Sequence, residues 1–293
     1  MQIWTVAPEE DGRRLRDILL NSMHLSWSAI KSAKWDGGIL RNGLPVRMND
    51  RLASGDRIEV RLPEKAPLYV PRPCSLPLSV PWEDEFLMVV DKPPGLASQS
   101  SRNQPDNSLE NVLYGRLGCP EGFIYRPVNR LDKGTGGLMV VARDGHTQDL
   151  MQRRLHSEDF QREYLALTEG IPDPSEGLID LPIGKVDAAS LRREVRSDGK
   201  PARTRYRVLA TREGRALVRL RLETGRTHQI RVHLSALGCP ICGDFLYGTE
   251  LPGEFPGCFA LHSAFLAFTH PMTGERVELE SLPAWAADWA PGD

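Results

Sequence analysis

The sequence predicts an α+β protein with a small N-terminal α/β module and a larger mixed domain. Helical and strand patterns are mixed along the chain, and a proline-rich segment interrupts them once. The length of 293 residues is enough for one large domain and one small one. We assign residues 1–62 to the module, 63–81 to a linker and 82–293 to the large domain.

Composition is that of an ordinary globular protein, with 40% hydrophobic and 26% charged residues. The sequence contains no run of eighteen apolar residues, so it predicts no membrane-spanning helix. The N-terminus lacks the apolar stretch of a signal peptide. We therefore expect a cytoplasmic protein without membrane contact. The odd count of five cysteines argues against a disulfide framework, and Cys239-Pro-Ile-Cys242 lacks the second ligand pair of a zinc site.

The module begins with two predicted amphipathic helices, at 12–21 and 26–36. Leu15, Ile18 and Leu19 fall on one face of the first helix. Ser26 is the expected N-cap of the second helix, and Gly37-Gly38 ends it.

A small sheet completes the module. Asn42-Gly43 is a hairpin signal, and the alternating residues 57–62 predict a strand. The following linker cannot form regular structure, because proline removes a backbone donor and fixes φ. It contains Pro63, Pro67, Pro71, Pro73, Pro77 and Pro81.

The large domain mixes predicted strands and helices. Short apolar or alternating runs predict the strands, and 3.6-residue periodicity predicts the helices. Glu213-Gly214 is a turn signal between two strands that pair as a hairpin. The strands are expected at 86–90, 138–142, 160–167, 203–209, 216–222, 261–268 and 276–279, and the helices at 146–155 and 227–237.

Charge is unevenly distributed along the chain. The net charge is −2, yet residues 185–231 contain fourteen Lys or Arg against five Asp or Glu. Such a stretch fits a phosphate-binding face, on which Arg203, Arg205 and Arg207 would act together because strand alternation gives them one face. It equally fits an exposed strand edge with solvated arginines. Composition leaves both interpretations open.

Three segments concentrate side chains capable of chemistry. Residues 126–137 place Asp132 among basic side chains and glycines in a loop before a buried strand, where catalytic residues are often found. The alternative is that Asp132 is only a turn residue, since Asp is common in turns. Residues 223–233 place Arg226 near a helix N-terminus, and both features favour binding of an anion. Arg231 lies where it can pair with a buried carboxylate. The alternative is a surface helix that is capped by Thr227. Tyr164 can stack on a base or belong to the core.

Five motifs in order resemble the RluA family of pseudouridine synthases. DKPPGL (91–96) resembles the strand that opens the family's catalytic domain, and NRLDKGTGGLMVVAR (129–143) its aspartate motif. REYLAL (162–167) resembles its tyrosine segment, and TGRTHQIRVHLSALGCPICGDFLYG (224–248) its third motif. LHSAFLAFTHPMTGE (261–275) resembles its final element. The resemblance covers roughly residues 80–282 and implies a central mixed, largely antiparallel sheet.

The resemblance also implies residue roles in an RNA pseudouridine synthase. Asp132 corresponds to the catalytic aspartate, Arg231 to its basic partner, and Tyr164 to the aromatic that stacks on the target base. Arg130 corresponds to the residue that fills the gap left by the flipped uridine. Asp132 either attacks covalently or assists loss of the base, and both routes stay open. Further substrate-binding candidates are Thr135, Arg226 and His228.

The N-terminal module resembles the S-four-type (alpha-L) RNA-binding domain through RRLRDILL (13–20), GGILRNG (37–43) and GDRIEV (55–60). This implies structured RNA as the partner, with ribosomal RNA favoured and transfer RNA possible. The reaction needs no cofactor or metal, and we expect a monomer. Basic candidates for the module's RNA face are Arg13, Arg14, Lys31, Lys34 and Arg41.

Two positions depart from the family pattern, and two rival functions remain. Asn129 replaces the family's usual histidine, and Gly136 its usual serine. A non-catalytic RNA-binding factor would be favoured if the aspartate were missing, but Asp132 is present. A carboxylate hydrolase such as a glycosidase would need a second positioned carboxylate, where the motifs supply arginine.

Overall fold

The computed structural model describes residues 2–25, 27–62, 67–101, 105–187, 190–287 and 289. The predicted N-cap Ser26, the start of the predicted linker at 63–66 and the last four residues of the predicted large domain lie outside the described residues. The chain divides into two compact units, Met1–Leu68 and Tyr69–Asp293. Their boundary falls inside the segment 63–81.

Unit 1 is a four-stranded antiparallel sheet with two short helices, in the strand order β1-β4-β2-β3. The first helix is shorter than predicted, because it passes into a π-helical turn at Ile18–Ser22. Leu15, Ile18 and Leu19 are buried, as their shared face predicts. The elements are β1 (Gln2–Thr5), α1 (Leu15–Asp17), α2 (Trp27–Trp35), β2 (Ile39–Arg41), β3 (Leu44–Pro45) and β4 (Arg57–Val60).

The predicted Asn42-Gly43 hairpin is confirmed. Both residues have positive φ, 51° and 81°, which a two-residue primed turn requires. The Asn42 side chain also donates to Asp56 Oδ1 at 2.8 Å and accepts from the Arg57 backbone N–H at 2.8 Å. The turn is therefore hydrogen-bonded to the start of β4, which lies between β1 and β2 in the sheet.

The second half of the proline-rich segment packs on unit 2 and contains a strand, contrary to the expectation that proline excludes regular structure there. The Tyr69 hydroxyl donates to Glu110 at 2.6 Å, and the Cys74 backbone N–H donates to the Asn111 carbonyl at 3.1 Å. Pro81 lies in β5 (Ser79–Glu83), at the end of the sheet order. An edge strand tolerates proline because one side of it needs no donor.

Unit 2 contains the remaining elements. After β5 they are β6 (Leu87–Lys92), α3 (Leu109–Arg116), β7 (Gly136–Ala142), α4 (Gly145–Arg154), β8 (Gln161–Glu169), β9 (Glu176–Asp180), β10 (Ile183–Lys185), β11 (Arg193–Val195), β12 (Arg203–Arg212), β13 (Arg215–Leu222), α5 (Gln229–Ala236), β14 (Leu261–Thr269), β15 (Arg276–Glu280) and α6 (Ala284–Ala287). No helix among the described residues is long and apolar enough to span a membrane.

The nine-stranded sheet of unit 2 confirms the predicted mixed, largely antiparallel architecture. Its order is β5-β6-β7-β14-β8-β13-β12-β9, with β15 also paired to β14. Among the described pairings of this sheet, only β7 with β14 is parallel. A separate two-stranded hairpin joins β10 to β11.

Sequence patterns located the long apolar strands and missed several short or polar elements. The elements outside the predicted set are β1, β5, β9, β10, β11, α3 and α6. Helix α3 begins at a capping box in which the Ser108 and Asn111 side chains serve each other's backbone, a signal present in the sequence. Helix α5 begins at Gln229 rather than at the predicted Thr227, because His228 has a left-handed φ of 58°.

Helix α5 lies on the face of β12 that carries Thr204 and Tyr206. His233 of α5 hydrogen-bonds Thr204 Oγ1 through Nδ1 at 2.8 Å. Ile230 and Leu234 of α5 share one buried cluster with Tyr206 and Tyr164. Strand alternation therefore points the side chains of Arg203, Arg205 and Arg207 to the opposite face.

The parallel pairing of β7 with β14 depends on a glycine. Gly137 has φ 105°, and a Cβ there would lie 2.3 Å from the Ser263 carbonyl oxygen. We expect Gly137→Ala to lower the free energy of unfolding by at least about 2 kcal/mol, because neither backbone can yield without breaking the pairing. Gly145→Ala is the matched control, since a Cβ there meets only Arg126 Nε at 3.8 Å. Equal denaturation midpoints for the two variants would contradict this account.

Candidate active site

The Asp132 loop is fixed from both sides by hydrogen bonds to its backbone. Ser98 Oγ donates to the Leu131 carbonyl at 2.6 Å and lies 3.1 Å from the Leu131 N–H. The Thr135 N–H donates to the Asp132 carbonyl at 3.1 Å, which closes a turn. The Asp132 side chain remains 28% exposed. The loop thus presents a carboxylate to solvent on a rigid support.

Lys92 is a buried cation beneath this loop. Its side chain is fully buried, and Nζ donates to the carbonyls of Pro93, Leu96 and Lys133 at 3.0, 2.7 and 3.4 Å. Burial lowers the pKa of Lys92 to about 7, against the opposing charge of Asp132. One ammonium group therefore ties the chain after β6 to the residue that follows Asp132.

Arg231 joins Asp132 to a second carboxylate. Its Nε and Nη2 donate to the two oxygens of Asp244 at 2.7 and 2.8 Å, and its Nη1 donates to Asp132 Oδ2 at 3.2 Å. The Arg231 side chain is 4% exposed and that of Asp244 is 0% exposed. The bidentate pair fixes the plane of the guanidinium, so that its remaining nitrogen points at Asp132.

Two aromatic rings enclose the same guanidinium. Its Cζ lies 4.4 Å from the ring centroid of Phe259 and 4.9 Å from that of Tyr247. Burial opposes the charge, but the Asp244 and Asp132 carboxylates outweigh it and raise the pKa of Arg231. Gly134 makes room for Phe259, because a Cβ at that position would lie 2.4 Å from the ring.

His228 lies on the other side of the carboxylate. Its Nε2 is 3.9 Å from Asp132 Oδ2, and its Nδ1 is 2.8 Å from the Tyr247 hydroxyl. Burial lowers the pKa of His228, and the Asp132 charge opposes this only in part, so the imidazole is neutral at neutral pH. Its left-handed φ of 58° is unusual for a residue other than glycine, and such conformations are concentrated at functional sites.

The other predicted residues of unit 2 differ in accessibility. Arg130 and Arg226 are exposed, and Arg226 Nε donates to the Pro201 carbonyl at 3.0 Å. Tyr164 is 4% exposed and belongs to the core beneath the site, so it does not offer an open stacking surface. Thr135 is 2% exposed, which favours a structural role in the loop over contact with RNA.

The structure favours the solvated-face interpretation for Arg203, Arg205 and Arg207. Arg203 pairs with Asp180 and Glu223, Arg205 with Glu223 at 2.6 Å, and Arg207 with Glu176 at 3.8 Å. The acidic partners Asp180 and Glu176 come from β9, which precedes the basic stretch 185–231. The strand is not an edge here, since β9 and β13 flank it.

The basic residues that remain without a carboxylate partner in the described part of the chain include Arg192 and Arg226. Arg192 Cζ lies 5.7 Å from the Tyr247 ring centroid, the ring that also contacts Arg231. Both Arg192 and Arg193 line a cleft of about 370 Å³ against α5, together with Tyr247. Arg193 Nε is buried there without a hydrogen-bond partner among the described residues.

The two departures from the family pattern serve the loop and its neighbours. Asn129 is buried, and its Oδ1 accepts from the Val140 backbone N–H at 2.9 Å, which joins the loop to β7. Gly136 faces His262, because a Cβ there would lie 3.0 Å from His262 Nδ1. Neither position contacts the Asp132 carboxylate directly in the described hydrogen bonds.

Unit 1 exposes most of its predicted basic candidates. Arg13, Lys31 and Lys34 are exposed, and Arg14 is half-buried. Arg41 is instead held by an ion pair to Asp56 at 2.5 Å, so it is the least available of the five.

The CxxC pair of unit 2 is inert. Cys239 and Cys242 are buried free thiols, and burial raises the pKa of both, that of Cys242 to about 11. A thiol that stays protonated at neutral pH is a poor nucleophile and a poor metal ligand.

Four residues of the site escaped the sequence interpretation: Lys92, Asp244, Tyr247 and Phe259. The first three stand inside matched motifs, in DKPPGL and CGDFLYG, and Phe259 lies two positions before LHSAFLAF. Their roles depend on contacts between separate parts of the chain, such as Arg231 with Asp244 across 13 positions and Lys92 with Lys133 across 41. Sequence proximity gives no sign of such contacts.

The candidate site is thus a partly exposed carboxylate, oriented by a buried arginine that a second carboxylate holds in place. Comparisons with known proteins identify the reaction class. A family model described as RNA pseudouridylate synthase matches residues 86–236. The chain belongs to the RluA-type RNA pseudouridine synthases, and it is an isomerase that acts on RNA.

Individual relatives cover nearly the whole chain. The uncharacterized RNA pseudouridine synthase YlyB of Bacillus subtilis (strain 168) is 35% identical over 286 residues, covering 96% of this chain and 94% of that protein. Ribosomal large subunit pseudouridine synthase D of Xanthomonas campestris pv. campestris is 35% identical over 290 residues, covering 93% and 86%. The structure of human RNA pseudouridylate synthase domain containing 1 matches with a TM-score of 0.58 and 28% identity, covering 71% and 84%.

We expect Asp244→Asn to lower both kcat and stability while KM for RNA stays within about twofold. The change leaves Arg231 buried with one charged partner, and breaking a buried ion pair costs about 3–5 kcal/mol. Asp198→Asn is the matched control, because Arg196 and Asp198 have the same bidentate geometry, yet the Asp198 side chain is 70% exposed. The control should leave stability nearly unchanged, because water screens an exposed ion pair. A kcat of Asp244→Asn equal to that of Asp198→Asn would refute the positioning role of Asp244.

Proposed function

We propose that Asp132 is the catalytic carboxylate with which this enzyme converts uridines of structured RNA, ribosomal RNA in particular, to pseudouridine. One observation carries this proposal: Asp132 is the exposed member of the pair of carboxylates that share Arg231. Its partner Asp244 is fully buried and cannot meet a substrate.

The reaction is an isomerisation that balances without a second reactant. The bond between C1′ and N1 breaks, the base turns, and a bond forms between C1′ and C5. C5 loses a proton and N1 gains one. A carboxylate can attack C1′ or stabilise the cleaved sugar and move protons, and both routes place Asp132 next to the sugar.

The other residues divide the work around this carboxylate. Arg231, at 3.2 Å, stabilises the negative charge of Asp132 and fixes its direction. Neutral His228, at 3.9 Å, is in place to hydrogen-bond the sugar or the base. Arg130 is exposed two residues before Asp132 and can occupy the gap that a flipped uridine leaves in the RNA. Flipping the uridine costs a few kcal/mol. Tyr164 is buried in the core beneath these residues and supports them.

Ribosomal RNA is the favoured target for two reasons. The Xanthomonas campestris relative, named for the ribosomal large subunit, aligns with 93% of this chain. Unit 1 has the element order expected of an S-four-type module, with Arg13, Lys31 and Lys34 exposed. A module that binds structured RNA next to a catalytic unit suits a large folded substrate. Transfer RNA remains the second candidate.

The geometry weighs against both rival functions. A non-catalytic RNA-binding factor has no need for a partly exposed aspartate oriented by a buried arginine. A glycosidase needs two carboxylates that both reach the substrate. The second carboxylate of this site, Asp244, is occupied by Arg231 and by the backbone N–H of Leu246 at 3.0 Å.

We expect Asp132→Asn to abolish tritium release from RNA labelled at uridine C5, while RNA affinity stays within about threefold. The amide keeps the shape of the side chain and removes the charge that the chemistry needs. Asp149→Asn is the control, because Asp149 forms an exposed helical ion pair with Arg153. Turnover by Asp132→Asn at a tenth of the wild-type rate or more would remove Asp132 from the catalytic role.

We expect RNA affinity to fall steeply with salt, with a slope that corresponds to about three to six phosphate contacts. Arg192→Gln combined with Arg226→Gln should flatten this slope by about 0.7–0.9 for each phosphate that the protein no longer neutralises. The triple change of Arg203, Arg205 and Arg207 to Gln removes more charge from the opposite face, where carboxylates already pair with it, and should leave the slope unchanged.

The two salt titrations decide between the faces of the sheet. A flattened slope in the triple variant, with no change in the double variant, would return the phosphate contacts to Arg203, Arg205 and Arg207. Arg231→Ala separates charge from chemistry in the same assay, since its partners are carboxylates. It should reduce turnover far more than it changes the salt slope.

A further inference from the structure

Helix α2 of unit 1 carries two tryptophans that the fold leaves in solvent. Trp35 is 87% exposed and Trp27 is 60% exposed. An indole is the largest apolar side chain, and exposing it forgoes the burial that would otherwise stabilise the fold. Unit 1 packs its core without either ring. Two such residues on one nine-residue helix therefore point to a partner outside the chain.

The two tryptophans share a helix face with two lysines. Trp27, Lys31, Lys34 and Trp35 are spaced i, i+4, i+7 and i+8, the spacing of one helical face. We call these four residues the Trp–Lys stripe. Ile30 and Ala33 lie on the adjoining flank of the helix and are 1% and 0% exposed, so the stripe borders the buried face and points away from it.

The charge of the stripe is not neutralised nearby. Helix α2 contains no Asp or Glu, and neither lysine has an ion-pair partner among the described residues. An apolar protein groove would have to desolvate both ammonium groups. Nucleotides offer a better complement, because every base has a stacking face and every phosphate a negative charge.

We propose that the Trp–Lys stripe binds unpaired nucleotides of the RNA substrate, with bases stacked on Trp27 and Trp35 and phosphates beside Lys31 and Lys34. This inference rests on the proposed function only in taking RNA as the partner. The two indoles are eight residues apart, about 12 Å along the helix axis. That distance spans about three or four stacking steps of a strand, so the two bases are not neighbours and the lysines face the backbone between them.

The stripe would make unit 1 sensitive to single-stranded segments. Bases of a continuous duplex are stacked on each other and present only groove edges, so they cannot lie on an exposed indole. Lysines alone would bind paired and unpaired RNA alike. Discrimination between the two is therefore the property that the tryptophans add.

The test uses the full-length protein and two labelled RNAs of equal length, a hairpin with an unpaired loop and a blunt duplex. Trp27→Ala and Trp35→Ala should each weaken hairpin binding at least about fivefold and leave duplex binding nearly unchanged. Trp35→Phe should retain most of the affinity, because it keeps an aromatic face. Lys31→Gln with Lys34→Gln should flatten the salt slope for both RNAs, whereas Trp35→Ala should leave it unchanged.

Two controls accompany the binding series. Leu44→Ala removes an apolar side chain of unit 1 that is 69% exposed and lies outside the stripe, so it should bind both RNAs like wild type. Hairpin RNA should also quench tryptophan fluorescence of the wild type. That quench should largely disappear in the double variant Trp27→Phe, Trp35→Phe.

Wild-type hairpin affinity in both alanine variants, or an undiminished quench in the double variant, would overturn the inference and assign the stripe to a protein partner. Tritium release by the wild-type protein is measured in the same preparation. Its absence would count against the proposed function alone, because the stripe is judged by binding and quenching. Loss of hairpin preference together with normal tritium release would support both proposals.

Discussion

The candidate active site depends on one ionic interaction, the guanidinium of Arg231 shared between Asp244 and Asp132. A buried arginine is stable only when its donors are satisfied, and Asp244 satisfies two of them in a bidentate pair. The third donor then has one direction left, towards Asp132. Phe259 and Tyr247 exclude water from the guanidinium, so its charge acts on the carboxylates with little screening. The exposed carboxylate is thereby oriented before any RNA arrives.

The rest of unit 2 holds the two ends of this interaction in place. Asp132 comes from the loop before β7 and Arg231 from α5, 99 positions later in the chain. The parallel pairing of β7 with β14 fixes the loop, and a glycine at position 137 permits that pairing. Lys92 joins the loop to the chain after β6, because its Nζ donates to the carbonyls of Pro93, Leu96 and Lys133. The buried contacts of Ile230 and Leu234 fix α5 against the same sheet. Core packing and the geometry of the candidate site thus share one set of constraints.

The charged residues of this protein indicate a binding surface only once their ion-pair partners are known. The basic segment of the sequence contains fourteen cations, and the structure pairs Arg203, Arg207 and Arg219 among them with carboxylates on neighbouring strands. Cations without a carboxylate partner among the described residues include Arg192, beside Tyr247, and Lys31 and Lys34 of α2, which lie between two exposed indoles in the sequence. The two regions suit different tasks. Under the proposed function, Arg192 suits the RNA backbone around the target uridine, and the Trp–Lys stripe suits unpaired bases.

The sequence by itself determined the family, the α+β class, the long apolar strands and the motif residues Asp132 and Arg231. Hydrophobic periodicity and short motifs are local properties, so they are visible without the fold. It could not determine that Asp244 clamps Arg231, that Thr135 and Tyr164 are buried, or that α5 begins after His228. It also left open whether Arg203, Arg205 and Arg207 face phosphate, because their partners Asp180 and Glu176 lie on another strand. Only the tertiary structure decided these points, since each depends on which residues distant in the chain come within about 4 Å of one another.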